Sequence, residues 1–215
     1  MTVLSQYVTQ TRRLLHDANS QIWQAPELND YVNEGRIEVV KDTGCLRSLQ
    51  SYTVIAATET IDFTALPLGG LALDVLNVSF LNGQSRYPLY YRPWTFFNAS
   101  LRGIQNYQGT TGAWSIYGQS TIFFGPIPIQ NFAAEFDTVI TPNTLVDDTT
   151  VEQINVTYQQ PVKYYAAHLA KMRQQKFAEA DDMKARYYSA IQNILNQTFT
   201  RRMLSPYVQM PDEDV

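Results

Sequence analysis

The 215 residues contain one cysteine and two histidines, and their positions decide how much nucleophilic or metal chemistry the chain supports. Cys45 paired with a histidine would give a thiolate nucleophile activated by a base. Cys45 follows Gly44 at the end of an expected helix, however, with no local signature of a nucleophile, and reads as a half-buried structural thiol. A single cysteine excludes an intramolecular disulfide and a multi-cysteine zinc site. Neither His16 nor His168 belongs to an HExxH run. His168 lies between Ala167 and Leu169 in a strongly periodic stretch and reads as a satisfied helix histidine. His16-Asp17 follows the first expected helix, where it suits the C-terminal carbonyls.

Carboxylates receive the same test. Glycoside hydrolysis needs two acids facing one bond. Asp62, Asp74, Glu135 and Asp137 fall on or near expected strands, while Asp147-Asp148 sits in a Thr/Pro/Asn-rich stretch and reads as an exposed turn. There is no calcium-loop spacing, no GxxxxGKS/T phosphate loop, no GxGxxG after a strand and no GxSxG elbow. The reading is therefore not an enzyme, with no catalytic residue, metal or cofactor assigned. The remaining candidates are rings. Tyr87, Tyr90, Tyr91, Trp94, Phe96 and Phe97 crowd one stretch and could stack on sugars or bases. Only Arg86 and Arg92 interleave with them, so a core or subunit interface fits better than nucleic acid.

The elements that position these residues fall in three regions. Leu4, Tyr7, Val8, Thr11, Leu14 and Leu15 recur at helical spacing. A second helix is predicted from Pro26, with Glu27 in its first turn and Gly44 as its stop. Residues 50–160 read as strands: Tyr52–Ala56, Thr60–Phe63, Leu71–Phe80, a turn at Asn82-Gly83, then Tyr87–Tyr91, Ala113–Tyr117, Thr121–Phe124 and Phe132–Ile140. Pro93 opens a short helix, residues 103–112 form a loop, and Gly125-Pro-Ile-Pro128 ends a strand. From Val162 to Leu195 apolar residues again fall three or four apart. That stretch reads as a helical hairpin rather than one rod, interrupted at Glu179-Ala-Asp-Asp182 with Asp181 as N-cap. After Thr200 the chain is polar, carries Pro206 and Pro211, and reads as an extended tail.

The expected fold is thus α+β. Residues 1–43 and 161–199 make one helical body, 44–160 a β-rich, sandwich- or barrel-like insert, and 200–215 a tail.

Composition narrows the function. Charged residues are 17% and aromatics 13%, with net charge -4. Many rings and few charges suit surface buried against partners, and the net charge argues against a DNA-coating protein. No apolar run approaches the ~20 residues of a membrane span. The opening Met1–Gln6 lacks the layout of a secretory signal, which points to an intracellular product whose Asn-x-Ser/Thr triplets are coincidental. Residues 44–160 carry four basic and eight acidic side chains, and 161–202 carry eight basic and three acidic. Such a division suits head-to-tail contacts between copies or, more plainly, an ordinary solvated helix face.

The order of features resembles the adaptor family of short-tailed bacteriophages. The resemblance runs through Leu14-Leu-His-Asp17, Trp23-Gln-Ala-Pro-Glu-Leu-Asn-Asp-Tyr-Val-Asn33, Leu76-Asn-Val78, Tyr87-Pro-Leu89, Thr121-Ile-Phe-Phe-Gly-Pro-Ile-Pro128, Tyr164-Tyr-Ala-Ala167 and Ala185-Arg-Tyr-Tyr-Ser-Ala-Ile191. It covers about residues 4–199. It implies a structural virion protein of the phage neck, made in the host cytoplasm. Such a protein joins portal to tail as a twelve-fold ring around the channel through which genomic DNA passes non-specifically. The implied partners are other copies, the portal protein and tail nozzle or later connector proteins, with no membrane and no cofactor.

On that resemblance, Arg201, Arg202, Met203, Leu204, Tyr207 and Val208 are expected to dock on the portal or a neighbouring subunit. The loop with Gln105, Asn106, Tyr107 and Gln108 is expected to face the tail. Two other readings of the residues stay open: a glycan-binding or glycan-cleaving tail component using the aromatic stretch, and a nucleic-acid-binding packaging factor using the basic 161–202 segment.

Overall fold

The computed structural model describes residues 3–17, 19–102 and 107–199. Helices open and close the described chain and strands fill its middle, so the fold is α+β. Helices α1 (Leu4–Leu15) and α2 (Ala25–Thr43) come first. Strands β1 (Arg47–Val54), β2 (Thr60–Asp62), β3 (Ala72–Asn82), β4 (Ser85–Pro88) and β5 (Tyr90–Tyr91) precede helix α3 (Trp94–Ser100). Strands β6 (Gln108–Gly109), β7 (Ala113–Tyr117), β8 (Thr121–Gly125), β9 (Ile127–Pro128) and β10 (Phe132–Ile140) follow. Helices α4 (Val162–Arg173) and α5 (Phe177–Phe199) end it. The chain divides into a helical unit, the described residues of Met1–Cys45 and Asn143–Val215, and a β unit, Leu46–Pro142.

In the helical unit, α1 buries Leu4, Tyr7, Thr11 and Leu15, the stripe its spacing predicts. Pro26 stands in the first turn of α2, and Gly44 takes the left-handed position after its last turn, its N–H donating to the Val40 carbonyl at 2.8 Å. Gly35 marks the close approach of α2 to α4: a Cβ there would lie 3.0 Å from the Val162 carbonyl oxygen. Leu15, Trp23, Leu28, Ala167 and Ala170 form a shared core with Val8, Leu14, Tyr31 and Met183 against it.

The helical hairpin is present, but its turn is not at Glu179–Asp182. It lies at Gln174–Lys176, and Asp181 is inside α5. Gln175 adopts φ 60 and closes a Schellman turn, with Lys176 N–H on the Lys171 carbonyl and Gln175 N–H on the Met172 carbonyl. Glycine normally fills that position, so a glutamine there conceals the stop. His16 does the same after α1, at φ 57, with Asp17 N–H on the Arg12 carbonyl and His16 N–H on the Arg13 carbonyl.

Asp17 then organises the entry to α2. Its carboxylate accepts from the backbone N–H groups of Gln21 (2.8 Å), Ile22 (3.2 Å) and Trp23 (3.0 Å) and pairs with Arg12 at 3.3 Å. Burial raises the pKa of this group, but the three backbone donors and Arg12 outweigh it, so the net direction is downward. A carboxylate depressed in the folded state contributes stability that is complete above its unfolded pKa of about 4 and is lost as pH falls through the folded value. Asp17→Asn places an NH₂ against backbone donors whichever way the amide turns. It should lower the melting temperature by several degrees at pH 7, with the deficit shrinking towards pH 3. Thermal melts followed by circular dichroism at both pH values check this, and an unchanged melt at pH 7 would refute it.

The β unit is a sandwich. One sheet has the order β1-β10-β3-β4 and the other β2-β8-β7-β5, with β6 and β9 pairing separately. Val54, Val75, Val78, Phe132, Ala134 and Phe136 of the first sheet meet Ile61, Trp114, Ile122 and Phe124 of the second in one core. As its alternation predicts, β10 buries Phe132, Ala134, Phe136 and Thr138.

Three local readings shift. The first strand begins at Arg47 rather than Tyr52. Asn82 pairs with Ser85, so the two loop residues are Gly83-Gln84, with Gly83 at φ 60 in the first position. The expected loop 103–112 contains β6, which pairs parallel with β9, so Ile127-Pro128 continues as a short strand after Gly125.

Candidate functional site

The aromatic stretch becomes a surface shelf carried by α3. Ser115, Tyr117 and Phe123 lie on the face of β7 and β8 turned away from the sandwich core, because Trp114, Ile122 and Phe124 point into it. Helix α3 covers that outer face. Phe97, fully buried, lies so close over Gly125 that a Cβ there would sit 2.9 Å from the phenyl ring. Trp94 lies 6.1 Å from Phe97, 4.7 Å from Phe123 and 4.5 Å from Tyr117, measured between ring centroids. Arg102 spans the rings of Trp94 and Phe123 at 5.4 and 4.9 Å and pairs with Glu59. Tyr90, Tyr91, Phe96 and Tyr117 remain exposed, and Arg92 lies over Phe96 at 5.4 Å.

Of the expected cluster, only Phe97 is core. Tyr117 and Phe123 belong to the shelf but stand apart in sequence, and their periodicity does not distinguish them from ordinary strand residues; Arg102, just past α3, joins it without a local signal.

The expected acids are engaged locally. Glu135 and Asp137 share the outer face of β10, and each is taken by an arginine, Arg86 and Arg47 respectively. Asp62 accepts from the Thr64 N–H and hydroxyl and from the Ser120 hydroxyl, which hold its pKa down. Asp147 accepts from Thr149 and Thr150, the expected turn. Asp148 does something the sequence did not announce: it accepts from Ser5 N–H at 2.8 Å and so caps α1.

His168 Nδ1–H donates to the Ala180 carbonyl at 2.9 Å and ties α4 to α5. Cys45 is half-buried, and burial pushes its thiol pKa up, away from a reactive thiolate. Among the described residues no group of three His, Cys, Asp or Glu side chains is placed to hold a metal ion. The pocket lined by Phe80, Thr111, Pro128 and Phe132, with Gly109, Thr110, Ile129 and Gln130 around it, contains no ionisable side chain.

The basic excess of the C-terminal helices is largely neutralised within the helical unit. Arg173 pairs with Glu27, Lys171 and Lys176 with Glu179, and Arg186 with Asp182. This matches the plain reading of a solvated helix face better than an electropositive docking face. The expected docking residues Arg201, Arg202, Met203, Leu204, Tyr207 and Val208 lie outside the described residues, as do Gln105 and Asn106. Tyr107 and Gln108 are described and exposed, with Gln108 in β6 opposite Ile127.

What the β unit offers outward is contact surface. Three sheet edges are short: β4 carries Arg86 and ends at Pro88, β2 has three residues and β5 two. The fourth edge, β1, is the longest, with eight residues, Arg47 as its one charge and no proline, and Leu49 is 65% exposed. Among the described residues, hydrogen-bonded pairing to β1 comes from β10 alone. A long edge strand with an exposed leucine and an arginine-flanked aromatic shelf are features of a protein built for assembly with other chains. The family model for SU10 adaptor protein matches residues 1–210, and the chain belongs to that family. It is a structural adaptor protein of a bacteriophage. No curated protein matches it. No helix among the described residues is long and apolar enough to cross a membrane.

Proposed function

We propose that the chain is a head-to-tail adaptor of the phage neck. It assembles as a closed ring, twelve copies in number, beneath the portal protein and around the path of the exiting DNA, and it carries tail nozzle or later connector proteins. The observation that carries this reading is the adaptor family's match across residues 1–210. The exposed shelf and the open β1 edge support it, because a cyclic ring needs heterologous surfaces that complement each other between neighbours. In this reading the helical unit packs against neighbouring copies and the β unit faces the tail, through the expected tail-facing residues Gln105, Asn106, Tyr107 and Gln108. The segment from Arg201 to Val208 docks on the portal or the adjacent copy.

Light scattering and negative-stain microscopy of the protein, alone and mixed with portal rings of the same phage, test the proposal. Rings, or a second ring stacked on the portal, are the expected result. A monomer that ignores portal rings would overturn it.

A further inference from the structure

The β unit contains four arginines, and three of them are ion-paired: Arg47 with Asp137, Arg86 with Glu135 and Arg102 with Glu59. Arg92 is the exception. Among the described residues it meets no carboxylate, only the face of Phe96. It stands at the rim of the shelf formed by Tyr90, Trp94, Phe96 and Tyr117, of which three are exposed and Trp94 is half-buried. Tryptophan, tyrosine and arginine together are the composition of a binding hot spot. The unmatched guanidinium specifies what the occupant brings: apolar or aromatic anchors next to a carboxylate.

One segment of this chain beyond the described residues has that composition. Residues 200–215 carry Tyr207, Val208 and Met210, followed at once by Asp212, Glu213 and Asp214. Pro206 and Pro211 in its sequence suit a ligand bound in extended form. Fully extended, sixteen residues span up to about 50 Å.

We infer that the aromatic shelf around Arg92 is the docking site for the C-terminal segment of a neighbouring copy, with Tyr207–Met210 on the rings and the acids at 212–214 on the guanidinium. This rests on the ring reading above and extends it, naming the β-unit surface that receives the segment and separating the acidic end from the Arg201–Leu204 portion left for the portal.

The test uses the full chain with the photo-reactive residue p-benzoylphenylalanine at exposed position 96, assembled on portal rings from an equal mixture of ¹⁵N-labelled and unlabelled copies. After irradiation and proteolysis, mass spectrometry should find cross-links to peptides within 203–215 in pairs of mixed isotopic mass. Arg92→Glu should lower their yield roughly tenfold, the scale of one interfacial charge pair. Combining it with Asp212→Lys, Glu213→Lys and Asp214→Lys should restore the yield. Cross-links to the portal chain, to other segments, or only within single copies would overturn the inference, as would a yield indifferent to Arg92→Glu. Microscopy of the same sample separates the two failures: rings without these cross-links remove the docking site alone, whereas absent rings remove the ring reading.

Discussion

Removing either partner of the Arg36–Glu152 pair alone should destabilise the helical unit by about 3–5 kcal/mol, whereas removing both together should cost far less. Both side chains are 1% exposed. The guanidinium donates from Nε and Nη2 to the two carboxylate oxygens at 3.0 and 2.7 Å, and from Nη1 to Asn33 Oδ1 at 3.0 Å and the Asn143 carbonyl at 2.6 Å. Glu152 also accepts from Ile154 N–H at 2.9 Å, and Asn33 holds both the N–H and the carbonyl of Leu145. This clasp fastens the segment from Asn143 to Ile154 onto α2. Arg36→Met strands a buried carboxylate, and Glu152→Leu strands a buried guanidinium, so each single change carries an unpaired charge.

The double variant strands neither charge; it leaves the Ile154 N–H short of a partner, while the Asn143 carbonyl belongs to an exposed residue that water can reach, a deficit of about 1–3 kcal/mol. Urea unfolding at pH 7 of the four proteins measures the coupling. Additive single effects would show that the pair is solvated and the clasp unimportant. The Tyr7 hydroxyl is buried beside the pair, where burial, then the charge of Glu152 and its carboxylate as acceptor, push the phenol ionisation far above the usual range. It makes no hydrogen bond of normal geometry, so Tyr7→Phe should cost no more than about 1 kcal/mol.

The elements legible in the sequence are those with a repeated signal. The α1 stripe, the alternation of β10 and the Pro26-to-Gly44 span of α2 each follow a period or a pair of end signals, and each forms where expected. Stops made without glycine were not legible. His16 and Gln175 occupy left-handed positions that a glycine would announce, so the expected turn at Glu179–Asp182 falls about one helical turn past the true one. Asn82-Gly83 marks the turn but not its register, because the closing pair Asn82–Ser85 depends on which residue of β3 leaves the sheet. Long-range polar contacts were invisible. Arg36 meets Glu152 across 116 positions and Asp148 caps α1 from 143 away, and nothing local marks either. The shelf was half visible: the crowding of rings at 87–97 was plain, but Tyr117, Phe123 and Arg102 join it only through the pairing of β7 with β8 and the course of α3.

The second large effect is expected at Phe97, because α3 has seven residues and is too short to hold itself together in water. What seats it is the Phe97 ring, packed on Gly125, Trp94 and Phe123. Phe97→Ala empties that position and should cost the β unit about 3–5 kcal/mol, with the emission of Trp94 moving to the red as the shelf loosens. Gly125→Ala attacks the same contact from the other side. Its methyl would lie 2.9 Å from the ring and 3.0 Å from Leu101 Cδ1, an overpacking cost of about 1–3 kcal/mol. In the double variant the methyl enters space that the ring has left, so the combined loss should fall short of the sum by at least about 1 kcal/mol. Strict additivity would mean that α3 is not seated on Gly125. A shelf carried by an unseated helix could not present Trp94 and Arg92 in a fixed arrangement to an incoming chain, so this cycle tests the foundation of the docking surface without requiring any partner.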